Sequence, residues 1–197
     1  MSMTTWVVIG VLAVVGLWAM SVYNRLVELR NRIANAFGQI DVQLKRRYDL
    51  IPNLVEVARG YMQHEAATLE AVIQARGQAQ GAAATARAAP TNAGAVGALA
   101  VAEGVLGGSL GRLMVVAEAY PALKADATMQ SLSEELASTE NRLGFARQAF
   151  NDQALDFNNA AQQFPALIVA RLFGFAPAPM LESTRSDEER SAPQVKF

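Results

Sequence analysis

The sequence predicts an all-α protein, with a single N-terminal transmembrane helix continuing into an antiparallel bundle of about four long helices. Three observations predict it. Hydrophobic residues make up 52% of the chain while aromatics make up only 7%. The excess is mainly alanine, leucine and valine, and alanine and leucine are strong helix formers, whereas aromatic and β-branched residues favour strands. An uncharged apolar segment opens the chain, and beyond it apolar residues recur at spacings of three and four.

The opening segment, residues 6–22, reads WVVIGVLAVVGLWAMSV. An apolar stretch of roughly 18 residues, rising about 1.5 Å per residue, just spans a hydrocarbon core. Trp6 and Trp18 lie near its ends and Tyr23 follows it, the positions at which aromatic rings settle at headgroup depth. A cleaved signal peptide would need a basic leader and a small-x-small site. MSMTT carries no Lys or Arg, and Ala19-Met20-Ser21 is a poor site, so a retained anchor is expected. Arg25, Arg30 and Arg32 follow the segment, and Lys45, Arg46 and Arg47 come later. The positive-inside rule then puts the N-terminus outside and the domain in the cytoplasm.

Leu26, Leu29, Ile33, Phe37, Ile40 and Leu44 form one apolar stripe. No Gly or Pro separates Val22 from Phe37, so one helix is expected to run from membrane into solvent. Pro52 lacks an amide donor and disfavours helix in the residue before it, which predicts a break near residues 49–51. A second helix then begins at Pro52 and extends to residue 76, with Leu54, Val55, Ala58, Tyr61, Met62, Leu69, Val72 and Ile73 inward. Residues 77–94, GQAQGAAATARAAPTNAG, read as a loop with frayed helical ends.

Helix resumes over residues 95–119. Its uncharged run before Glu103 is too short for a second span, and its many small residues suit tight packing. Tyr120-Pro121 makes a break. Residues 123–164 read as the longest helix, with Leu132, Leu136, Leu143, Phe150, Leu155, Phe157 and Phe164 among its apolar positions, and Pro165 ends it. The apolar segment PALIVARLFGF is expected to cap the bundle or lie against the membrane surface. No heptad stripe holds over the whole body, which favours a globular bundle over an extended coiled coil. The domain reading is residues 1–22 anchor, 23–175 helical bundle and 176–197 a Pro-, Ser- and charge-rich disordered tail.

Three blocks carry a family resemblance. They are YNRLVELRNRIANAFGQIDVQLKRRYDLIPNLVEVARGYMQHEAATLEAVIQAR at residues 23–76, VVAEAYPALKA at 115–125 with LSEELASTENRLGFARQAFND at 132–152, and FNNAAQQFPALIVARLFGF near the end of the body. Together they closely resemble the LemA family over nearly all of residues 20–176. Phe37-Gly38 departs from the usual aromatic-serine pair, and residues 82–94 look individual to this chain. The resemblance implies an N-terminally anchored antiparallel bundle in the bacterial inner membrane and no established biochemical activity. It also implies membrane organisation or quality control, since a relative serves in magnetosome membranes and some members are encoded near a membrane zinc protease.

The residues themselves point away from catalysis. With no cysteine, the chain has no disulfide, thiolate metal site or cysteine nucleophile. His64 is the only histidine, and the second histidine of HExxH would stand at Thr68. A serine triad would have to recruit that same His64. Glu134-Glu135 are adjacent, so they diverge on a helix. Neither a phosphate-binding loop nor a dinucleotide fingerprint is present, and a net charge of −1 advertises no nucleic acid. Neither cofactor nor metal is expected. The basic run at 45–47 is expected to pair within the bundle, with Asp41, Asp49 or Glu56, or to meet acidic faces such as Glu134 and Glu140 across a subunit contact.

The function expected is a membrane-anchored scaffold that acts by self-association and by binding partners at the inner membrane. The lipid bilayer, further copies of the chain and a membrane-protein partner are its expected contacts. The alternative is an adaptor or regulator of a membrane protease or sensor, with Asp49, Asn53 and His64 as its interaction surface. Gly10, Ala13 and Gly16 offer only a weak signal for close approach of anchor helices, since their spacing is three rather than four.

Overall fold

A computed structural model describes residues 2–181. Those residues form six helices and no strand: α1 (Met3–Tyr61), α2 (Ala66–Ala88), α3 (Ala93–Ala117), α4 (Pro121–Lys124), α5 (Ala127–Gln162) and α6 (Ala166–Leu172). The all-α expectation stands, and the apolar opening segment, long enough to cross a membrane, does continue without interruption into the body. At about 1.5 Å per residue, the 59 residues of α1 make a rod about 88 Å long.

The expected break at Pro52 does not occur, because Pro52 sits inside α1. A proline at 52 deprives the carbonyl of residue 48 of its intrahelical donor. Arg76 of α2 replaces it, its Nε donating to the Tyr48 carbonyl at 2.7 Å. The chain instead turns at Met62, which leaves helical dihedrals (φ −112°, ψ 50°) and is fully buried. The second helix therefore starts at Ala66, fourteen positions later than expected. Tyr61 and Ile73, expected inward, are exposed.

The expected loop over residues 77–94 shrinks to 89–92. Alanine is the best helix former, and Ala75, Ala79, Ala83 and Ala86 form the buried face of α2, where their small side chains let α3 approach. Asn92 caps α3, its Oδ1 accepting from the Ala95 amide at 2.9 Å, and Asp126 caps α5 through the Met129 amide at 3.0 Å. The expected helix at 123–164 resolves into α4 and α5. It is shorter than α1, and Leu155 and Phe164 are exposed.

Within α1 the buried residues Ile33, Phe37, Ile40, Leu44, Arg47, Ile51, Leu54 and Ala58 step by four and three in alternation. Those of α3, from Val96 through Glu103 to Ala117, do the same. A heptad seam thus exists inside individual helices, although none runs through the body as a whole, and it gives coiled-coil-like packing. The expected antiparallel order holds. Tyr61 at the end of α1 donates to Asp126 at the start of α5 at 3.0 Å, and Phe37 meets Phe150 edge-on at 5.9 Å between centroids.

The helices differ in reach. Arg87, near the end of α2, pairs with Asp41, so the α2–α3 hairpin covers only the part of α1 beyond about residue 37. Closer to the anchor, α1 is accompanied by α5, by α6 and by residues 175–181. These last run as an extended strap along α5, and Ala178 and Leu181 are buried there. The expected disorder of residues 176–197 is therefore corrected for 176–181, and residues 182–197 lie outside the described residues.

Candidate functional site at the anchor–bundle junction

Residues 6–22 of α1 are exposed along almost their whole length, with Trp6 and Trp18 among them. Burial begins abruptly at Leu26 and Leu29, both almost fully enclosed. Tyr23 sits at the changeover. Its ring meets Phe173 edge-on at 4.9 Å and Phe175 at 5.6 Å between centroids, and Phe175 in turn lies 6.3 Å from Phe157. One helical turn on, Glu28 accepts from Arg32 at 2.6 Å and from Arg25 at 3.3 Å. These hydrogen bonds and charges, Arg32 foremost, hold the Glu28 carboxyl below its ordinary range.

Two asparagines missing from the expected site fasten the strap. Asn158 donates through Nδ2 to the Ala178 carbonyl at 2.9 Å and accepts through Oδ1 from the Ala178 amide at 2.7 Å. Asn151 does the same for Leu181, at 2.7 and 2.8 Å. The spacings match. Seven residues of helix rise about 10.5 Å, and three residues of an extended, proline-rich strand rise about 9.3–10 Å. Pro177 and Pro179 fit such a strand, so residues 178 and 181 fall on one face opposite Asn158 and Asn151. The signal in the sequence was the seven-residue asparagine spacing upstream of alternating prolines.

The chain enters the strap through a tight helix end. The Phe175 amide donates to the Ala170 carbonyl at 2.9 Å and the Gly174 amide to Arg171 at 3.3 Å, with Gly174 at φ +70°. This is the pattern of a Schellman motif, which asks for left-handed backbone at that residue. Without it, Phe175 would not reach Tyr23.

Farther from the anchor, charge occupies two heptad core positions. Arg47 of α1 and Glu103 of α3 are both buried and pair at 2.5 Å. The Tyr48 hydroxyl donates to the other Glu103 oxygen at 2.6 Å, while Glu140 stands 3.4 Å from Arg47 and Arg147 stands 3.9 Å from Glu103. Burial foremost, then the Glu103 charge and hydrogen bond, push the Tyr48 hydroxyl well above its ordinary pKa.

The expected partners of the basic run are thereby corrected. Arg46 pairs with Glu135 and Arg47 with Glu103 and Glu140, across the fold of one chain rather than along α1. The reason is the heptad register, which turns Arg47 into the core. Asp41 instead takes Arg87, at 2.6 Å.

Asp49 and Asn53 are exposed one turn apart on α1, and His64 is exposed in the turn after Met62. They share the anchor-distal end of α1. Among the described residues no group of His, Asp and Glu is placed to hold a metal ion. The cluster around Glu103 joins α1, α3 and α5 through buried ion pairs and the Tyr48 hydrogen bond.

Comparison with known proteins gives a consistent set of likenesses. The model of the LemA family matches residues 36–197. The chain is 35% identical over 82 residues to the magnetosome protein MamQ of Magnetospirillum gryphiswaldense, covering 42% of this chain and 30% of that protein. It is 33% identical over 81 residues to the magnetosome proteins MamQ 1 and MamQ 2 of Paramagnetospirillum magneticum, covering 41% of this chain and 30% of each. The chain thus matches these relatives over less than a third of their length.

Proposed function

The chain belongs to the LemA family, and from that premise we propose that it is a membrane-anchored helical scaffold of the bacterial inner membrane, acting by self-association and partner binding. One observation carries the reading. A single helix, α1, bears an exposed apolar segment at one end and the buried spine of the bundle at the other, so the position of the anchor is transmitted rigidly to the domain. The kinship with chains named magnetosome proteins supports an association with membranes. In this reading residues 1–22 are the anchor, and Trp6, Trp18 and Tyr23 mark the membrane boundaries. The Arg25, Arg30 and Arg32 group keeps the domain cytoplasmic with the N-terminus outside.

The helix α3 is also long and apolar enough to cross a membrane. Its buried stripe, however, is part of the bundle core, and Glu103 lies midway along it, which supports a single span. Exposed Val101, Val105 and Val115 on α3 are candidates for contact between copies. The test is carbonate extraction of membranes followed by blue-native electrophoresis of the solubilised chain. The expected result is a pelleted protein migrating above the monomer. A carbonate-soluble chain sinks the anchoring, and a monomer alone sinks the self-association.

An adaptor for a membrane protease or sensor is the second reading. It is favoured by one feature, the exposure of Asp49, Asn53 and His64 at the anchor-distal end of α1. Crosslinking in native membranes from position 53 separates the two, since crosslinks to the chain itself alone argue against an adaptor.

A further inference from the structure

The helix α6 is turned inside out for a helix in water. Val169 and Ala170 are buried against the bundle, yet the opposite side carries Ile168 at 59% exposure and Leu172 at 77%, with Phe164 at 81% and Phe173 at 56% beside them. Ile168 and Leu172 stand four apart on α6, so they form one stripe, and exposed Phe164 and Phe173 flank the helix at its two ends. A solvated helix of this kind would present polar residues there.

Location identifies the occupant. Tyr23 follows directly on the anchor segment, and its ring is 4.9 Å from that of Phe173. If residues 6–22 fill the hydrocarbon, Tyr23 lies in the headgroup layer, a band about 5–7 Å deep on each side of the core. Phe173 shares that depth, and the rest of the stripe is continuous with it. Arg171 is exposed on the same helix, a cation suited to headgroup phosphate.

We propose that α6 is a second, monotopic membrane contact, a foot whose Ile168–Leu172 stripe, flanked by Phe164 and Phe173, seats in the headgroup and upper acyl region beside the anchor. The proposal rests on the anchored reading given above. The foot and the anchor fix the bundle at two points, so the domain stands on the bilayer in one orientation rather than swinging from a single helix. Helices that lie in the interface bury an apolar face to about this depth.

The chain lacks cysteine, which allows single reporters on the full-length protein. Ile168→Cys, Leu172→Cys, Leu12→Cys and, at an exposed position of α2, Gln78→Cys, each carrying a polarity-sensitive fluorophore, would be reconstituted into phosphatidylethanolamine–phosphatidylglycerol vesicles containing lipids spin-labelled at shallow or deep acyl positions. Circular dichroism of each variant checks that the helices persist. The expected result is blue-shifted emission at 168 and 172 with loss of fluorescence to shallow quenchers. Position 12 loses fluorescence to deep quenchers and position 78 to neither. If position 12 is quenched but 168 and 172 behave like 78, the foot is refuted while the anchor stands. If position 12 is unquenched as well, the anchored reading fails and takes the foot with it. A blue shift at 168 and 172 without quenching would put a second copy of the chain on the stripe, and also overturns the proposal.

Discussion

The Arg76 guanidinium donates to the Tyr48 backbone carbonyl at 2.7 Å, the acceptor that Pro52, four residues on, leaves without its helical amide. A side chain of α2 thereby repairs the defect in α1 and pins the two helices in register at that point.

Replacing Arg76 by Met leaves this carbonyl without its donor and is expected to destabilise the bundle by about 1–3 kcal/mol. In a Pro52→Ala background the helix supplies its own donor, so the same replacement is expected to cost less, with a coupling of about 1 kcal/mol. Urea denaturation of the four proteins in detergent measures it, and additive effects would reject the repair.

Glu103 holds Arg47 and the Tyr48 hydroxyl in the core. Glu103→Leu alone leaves the buried Arg47 with only the longer contact to Glu140 and is expected to cost up to about 3–5 kcal/mol. Adding Arg47→Met and Tyr48→Phe removes the stranded groups, and the triple variant is expected to regain most of that loss. Thermal unfolding of the single and triple variants decides the matter.

The Tyr48 pKa is raised in the fold above its ordinary value of 10.0. Stability from this group is therefore complete below about pH 10 and falls as pH rises beyond it, because unfolded chains release a proton that folded ones retain. Of the chain's four tyrosines, Tyr48 is expected to ionise only with unfolding, seen as a late tyrosinate absorbance step coincident with loss of helical ellipticity. Tyr48→Phe should abolish that step.

Asn158→Ala removes both hydrogen bonds to Ala178, together worth about 1–3 kcal/mol. The strap is expected to detach before the helices melt. Limited proteolysis should then cut near residues 176–181 in Asn158→Ala, and in Asn151→Ala to a lesser degree, while the wild-type strap is protected.

Gly174→Ala places a side chain at φ +70° and is expected to cost about 1–2 kcal/mol. There is open space around that position, so the loss comes from backbone strain rather than a clash. Gly174→Asn should lose less, and the comparison of the two midpoints tests that cause.

Local pattern carried much of this architecture. The three-four stripe from Leu26 to Leu44 is entirely buried, and the uncharged opening segment stays clear of the core until Val22. What misled was punctuation. Pro52 breaks a helix in isolation, but whether it does so here depended on an arginine 24 positions away. The alanine run at 82–89 looked like a loop because low side-chain bulk resembles low order until a facing helix is present to pack on it. Tertiary partners also decided the charges. Arg46 and Arg47 are neighbours in sequence, yet one lies at the surface and the other in the core. The strap was hidden because disorder is read from composition, and its order comes from two asparagines on another helix.

The unbroken α1 also makes the molecule a lever. In the anchored reading it extends about 57 Å beyond the bilayer from Tyr23 to Tyr61, so a tilt of about 10° of anchor and foot together sweeps the far end sideways by about 10 Å. Changes in bilayer thickness or curvature that alter helix tilt would then be magnified at the end that carries His64. An object docked there would be displaced by roughly its own helix diameter.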